Sequence, residues 1–208
     1  MTRLEKVSGT AELRKELLAD AMRELDELRT QTSETENTEL LFLRSQGHRQ
    51  RGDLAMTHDN LSVALREYDA ARAIGEGLIQ RLPGSSQAQR DLSINTIKLG
   101  DVAVKIGQLG KAKVWFERSL KIREKLALAD ANDMQAQRDL SISIIKLGDV
   151  AVQMGQLDEA KVWFERSLKI SEKLALADAK DAQAERNLFI SLNNLGEVAI
   201  QMLSLIHI

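Results

Sequence analysis

Four acidic residues recur at one spacing in this chain: Asp53, Asp101, Asp149 and Glu197 stand 48 residues apart. A column of like charge at such a fixed interval could draw in a basic peptide by long-range attraction. The lysines nearby offer a simpler use. Lys98 precedes Asp101, and Lys146 precedes Asp149, by three residues, the spacing of a local ion pair on one helix face. Exposed pairs of that kind contribute little energy, and the local-pair reading is preferred. If the column does serve a partner, the positions offered are Asp101, Lys105, Asp149, Gln153, Asn193 and Glu197.

Other reactive combinations are weaker. His48 and His58 fall in different turns of the chain with no third ligand at metal spacing, so no metal site is expected. No Ser/His/Asp arrangement emerges, and the carboxylates read as surface groups rather than desolvated acids or bases. Catalysis and a bound cofactor are therefore not expected. The Arg51-Gly52-Asp53 tripeptide lies inside a helical pattern, which cannot present the loop an adhesion motif needs. Trp115 and Trp163 could form a stacking ladder for a ligand, but residues of this kind more often line the contact between stacked units.

Composition narrows the class further. The 208 residues are 43% hydrophobic and 29% charged, with 3% aromatics, one proline and no cysteine. That mixture favours helices over β-sandwiches or barrels, and it excludes disulfides and thiolate metal sites. A net charge of -2 with interspersed signs suggests no nucleic-acid face. No apolar run reaches the roughly 18 residues of a membrane span, and MTRLEKVSGT lacks a signal-peptide core. A cytoplasmic location is the resulting expectation.

The acidic column belongs to a much longer repeat. Ala88–Gln135 aligns without a gap on Ala136–Gln183, and only nine positions differ. A partial copy follows from Ala184, and a diverged one covers Asn37–Gly84. Self-similarity at this period marks a solenoid of stacked units. Each unit reads as two helices, predicted over 38–57, 61–82, 86–106, 109–128, 134–154, 157–176 and 182–202, with an earlier helix over 11–30. One slot of the repeat holds Asn37, Ser85, Asp133 and Asp181, all residues able to cap the following helix. Gly52, Gly100, Gly148 and Gly196 share another slot, with Ala55, Ala103, Ala151 and Ala199 three residues later. A glycine inside a helix costs about 1 kcal/mol against alanine. Close approach of a partner helix carrying Tyr68, Phe116 or Phe164 would explain its recurrence. The predicted core includes Ala112, Phe116, Leu120, Ala160, Phe164 and Leu168, with Lys113, Glu117, Lys161 and Glu165 exposed.

The sequence of Leu147, Gly148, Ala151, Gly155, Ala160 and Phe164 resembles the tetratricopeptide repeat. The resemblance spans roughly Arg44–Met202 and holds in register through successive units. It implies an all-α, right-handed superhelical solenoid of antiparallel helix pairs, whose first helices line a concave surface that binds a protein or peptide. The chain departs from the family in three respects. Its unit is 48 residues, against about 34 in the family. Glu76, Glu124 and Glu172 replace the terminal proline, and His48, Thr96, Ile144 and Leu192 occupy the slot of the early tryptophan. Long units of this kind are similar to repeats in large bacterial multidomain proteins.

The expected organisation is an amphipathic capping helix within 1–36, then repeats over 37–84, 85–132, 133–180 and a partial 181–202. The stretch GTAELRKELLADAMRELDEL also resembles what precedes such repeats in some bacterial Ser/Thr kinase polypeptides, so a regulatory region of a larger enzyme is an alternative to a scaffold. No Gly-rich loop, HRD or DFG kinase motif is present. A self-associating structural array is a third reading. The final LSLIHI breaks the repeat, with Leu203 where glycine is due. It resembles translated sequencing-adapter read-through, which implies a non-native tail over 203–208. Loss of the expected partner helix would expose Leu188, Leu192, Leu195 and Ala199 and allow self-association through that end.

Overall fold

The computed structural model describes residues 13–24, 27, 34–177 and 182–206. Every element among them is helical: α1 (residues 13–24), α2 (Glu34–Thr57), α3 (Leu61–Arg81), α4 (Ser86–Lys105), α5 (Leu109–Ala129), α6 (Met134–Gln153), α7 (Leu157–Ala177) and α8 (Ala182–Ile206). No strand occurs among the described residues. The fold is all-α, as the sequence implies. The chain divides into two compact units, Met1–Ile106 and Gly107–Ile208.

The helix ends follow from local chemistry. Ser85 accepts a hydrogen bond from the Ala88 amide at 3.1 Å, and Asp133 accepts one from Ala136 at 2.9 Å. Each satisfies a donor that the first turn of a helix leaves unpaired. The slot of Asn37 is not a helix start here: α2 already begins at Glu34, which places Asn37 inside the helix. Asp181 lies outside the described residues. The turn from first to second helix uses a left-handed residue in the same repeat slot each time, Asp59 at φ 52°, Gly107 at 75° and Gly155 at 74°. The Asn60 amide then returns to Ala55 O at 2.9 Å and that of Gln156 to Ala151 O at 2.8 Å, closing the helix with a six-residue bond. Leu203 occupies this slot in the last copy. A branched side chain resists the left-handed conformation, and α8 runs on to Ile206 instead of ending near 202.

In the first unit, Met22 of α1 is buried over Gly47 of α2, where a β-carbon would collide with its side chain. α3 packs between α2 and α4. Gly52 faces the ring of buried Tyr68, and a β-carbon there would fall 2.6 Å from its Cδ1. In the second unit α5, α6, α7 and α8 pack in succession. Gly148 faces Phe164 in the same manner, with a would-be β-carbon 2.7 Å from Cδ1. The glycine slot is therefore a socket for the aromatic of the antiparallel neighbour. A buried line of hydroxyls joins the helices of this unit: Ser119 to Ser143 at 3.1 Å, Ser141 to Ser167 at 2.9 Å and Ser167 to Ser191 at 2.9 Å. Each hydroxyl finds its partner on the facing helix, so burial leaves none of these groups unsatisfied.

Ala112, Phe116, Leu120, Ala160 and Phe164 are buried as expected, and Lys161 and Glu165 are exposed. Three expectations fail. Lys113 and Glu117 are half-buried, because that face of α5 looks toward α7, where Glu159 receives the Lys113 ammonium at 2.8 Å. Leu168 is also half-buried. Its counterpart Leu120 lies on α5; among the described residues no further second helix flanks α7 to complete the same enclosure.

Candidate functional site

Two members of the acidic column, Asp53 and Asp149, are built into ties between first helices. In the first unit, Asp53 on α2 receives the Lys98 ammonium from α4 at 2.7 Å and the Tyr68 hydroxyl at 2.6 Å. Lys98 also lies 6.0 Å above the Tyr68 ring. Burial, reinforced by the Asp53 carboxylate, pushes the Tyr68 phenol well above its ordinary pKa. In the second unit, Asp149 on α6 accepts from Asn194 on α8 at 3.2 Å. Lys98 and Asn194 occupy equivalent repeat slots, as do Asp53 and Asp149, so the same cross-helix tie appears in both units. The sequence-based pairing of Lys98 with Asp101 omitted this link to the preceding first helix, which joins residues 45 positions apart.

Each proposed contact residue can be placed. In the first unit, Asp101 is half-buried and Lys105 is exposed, bonded to Asp59 at 3.1 Å. In the second, Asp149 is half-buried while Gln153, Asn193 and Glu197 are exposed, and Asn193 donates to Glu197 at 3.0 Å. Trp163 is half-buried against the core cluster around Phe164 and donates to Glu159 at 3.3 Å. Trp115 is also half-buried, with the Arg118 guanidinium 5.9 Å above its ring. The tryptophans thus serve packing more than display.

The structure adds a polar cluster that the sequence reading did not contain. Three carboxylates taken as surface groups, Glu67, Asp91 and Asp139, are buried. Glu67 is met by His48 at 2.9 Å, Arg66 at 3.2 Å and Arg51 at 3.3 Å. Asp91 is met by Arg49 at 2.6 Å and by the Ser45 hydroxyl. Arg49 also donates to Asn95 Oδ1 at 3.0 Å, and Asn95 donates to Ala71 O at 3.1 Å. The available signal was the repeat itself, since Asp91 and Asp139 share a slot that would point inward on the first helix. The groups around Glu67 and Asp91 knit α2, α3 and α4 together. Among the described residues no three His, Cys, Asp or Glu side chains gather into a metal site.

Glu67 gives a pH dependence of known sign. Burial alone would raise its pKa, but hydrogen bonds from His48 and Arg66 and the charge of Arg51 hold it below the ordinary carboxylate range. A carboxyl depressed in the folded state stabilises the protein fully above its unfolded pKa. That contribution is lost as pH falls through the folded value. Glu67→Gln is therefore expected to lower stability at neutral pH and to have a shrinking effect below about pH 4. Urea titrations at several pH values check this; a pH-independent difference would show that the charge of Glu67 is not involved.

Residues 97–126 and 143–174 match the tetratricopeptide repeat family. Those two segments are tetratricopeptide repeats. Solved helical-repeat structures agree with this at the level of fold. The apo form of RapI is similar with a TM-score of 0.63 and 15% identity, covering 95% of this chain and 62% of RapI. BtubC from P. vanneervenii is similar with a TM-score of 0.64 and 18% identity, covering 94% and 71% of the two chains. The de novo designed helical repeat protein DHR81 gives 0.57 and 19%, covering 95% of each. The chain thus spans less than two thirds of RapI. No curated protein matches it in sequence. Among the described residues, no helix is long and apolar enough to cross a membrane.

Proposed function

We propose that this tetratricopeptide-repeat chain is a protein-interaction module that holds an extended or helical partner segment against its first helices. The observation that carries the reading is the repeated slot on those helices. Lys105 and Gln153 are exposed at equivalent positions, each four residues beyond a half-buried aspartate, Asp101 or Asp149. Helices tied to one another by Asp53–Lys98 and Asp149–Asn194 bonds present these side chains at low ordering cost. Asn193 and Glu197 extend the polar face on α8. The fitting partner is a polar segment carrying basic side chains, which the aspartates and Glu197 attract.

Fluorescence anisotropy with a short lysine-rich peptide tests the proposal on the full chain. Reversing both charges, Asp101→Lys with Asp149→Lys, is expected to weaken binding about tenfold at low ionic strength. The difference should shrink at high salt, where exposed charges are screened. Unchanged affinity at low salt would mean that the two aspartates serve only the helix ties and that a basic partner does not bind there.

A further inference from the structure

A cavity of about 380 Å³ lies wholly within the second unit, between the α5–α6 turn and the last turns of α7. Its apolar walls are Ala131, Met134, Ile170, Leu174 and Ala177. Asn132 and Gln137 add amides, and Lys173 is its one charged group. The cavity sits on the side of α7 that faces the preceding second helix. Glu159 and Arg166, on that side of α7, reach Lys113 and Glu124 of α5 at 2.8 and 2.7 Å. Ile170, Lys173 and Ala177 continue the line at steps of four, three and four residues. The space is therefore bounded by neighbours already in place, unlike the face of α8. There, Leu192 and Ala199 of the expected stripe are exposed while Leu188 and Leu195 are half-buried. The matching face of α6 is covered by α7, the next helix of the repeat, so that stripe selects no separate partner.

We propose that this cavity binds a small aliphatic carboxylate, with its chain against Met134, Ile170 and Leu174 and its anion on the Lys173 ammonium. Lys173 selects the charge. Among the described residues no carboxylate pairs with it. The acids of the adjoining turn are engaged locally: Asp130 accepts from the Asn132 amide and Asp133 from that of Ala136, both at 2.9 Å. An ammonium at the edge of apolar walls favours a ligand that joins hydrocarbon to negative charge. Volume selects the size. Filled as loosely as an organic liquid, the space holds on the order of ten non-hydrogen atoms, the size of octanoate. The corner is also individual. The α7 wall repeats Ile122, Lys125, Leu126 and Ala129 of α5, but the slot of Met134 holds Thr38, Ser86 and Ala182 in the other copies. The large apolar side chain that closes this wall thus occurs at one corner of the repeat series. The site shares no residue with the face proposed for a partner segment.

Titration of the full chain with octanoate, followed by the methyl NMR signals of its methionines, tests the site. The Met134 signal is expected to shift and saturate, while those of Met56 and Met154 stay in place. Lys173→Met keeps an apolar stem and removes the charge, so the affinity for octanoate should fall about fivefold at low salt. Uncharged 1-octanol should bind both forms equally. Ala177→Phe fills the cavity from an exposed position and should abolish saturation. An unmoved Met154 signal and an unchanged circular dichroism spectrum show that both variants keep the fold. Equal shifts at all three methionines, a shift that does not saturate, unchanged affinity in Lys173→Met or retained binding in Ala177→Phe would overturn the proposal. So would tighter binding of a short peptide ending in leucine than of octanoate, which would assign the cavity to the terminus of another chain.

Discussion

Replacing Phe164 by alanine is expected to lower the unfolding free energy by about 3–5 kcal/mol. The ring is buried among Ile145, Ala151, Leu157, Ala160 and Val198, and it rests on Gly148. Truncation removes its transfer free energy and leaves a cavity that the neighbours fill poorly, because Gly148 has no side chain to move inward. Gly148→Ala makes the prediction sharper. With Phe164 in place, the new methyl would overlap the ring and cost about 1–3 kcal/mol through forced repacking. In the Phe164→Ala background the same methyl enters vacated space and removes a helix-interior glycine, a gain of about 1 kcal/mol. The sign of Gly148→Ala should therefore reverse between the two backgrounds. Chemical denaturation followed by the fluorescence of Trp115 and Trp163 reads the second unit directly. A loss below about 1 kcal/mol for Phe164→Ala, or additive effects of the two substitutions, would show that ring and glycine do not share a socket.

Arg49→Met should be nearly as damaging in the first unit, by about 3 kcal/mol. The guanidinium lies 2.6 Å from Asp91 and 3.0 Å from Asn95 Oδ1, and its removal leaves the Asp91 carboxylate buried with the Ser45 hydroxyl as its remaining strong donor. An uncompensated buried charge is costly because the interior cannot solvate it. Adding Asp91→Asn removes that charge while keeping a side-chain oxygen for Ser45, so the double variant should recover most of the loss. Both tryptophans lie in the second unit, so far-ultraviolet circular dichroism under urea is the suitable measurement here. Equal instability of single and double variants would place the cost in lost packing of the arginine stem instead of the unpaired carboxylate.

The sequence by itself determined the helices, their pairing and the reason for the repeated glycines. It could do so because these features depend on interactions that are local or strictly periodic. Ser85 and Asp133 cap their own helices, Gly107 and Gly155 take left-handed turns, and Gly148 recurs opposite an aromatic sixteen residues on. Leu203 was legible as a break in that pattern, although its consequence, a helix continuing to Ile206, was not. Only the tertiary structure decided the fate of the polar side chains. Lys98 reaches back to Asp53, Arg49 forward to Asp91, and Lys113 across to Glu159, over separations of 42 to 46 residues. Several acceptors lie within reach of each such side chain, and sequence spacing favours the nearest along the chain. Packing decides otherwise, because only the assembled helices fix which carboxylate is desolvated and so most in need of a partner.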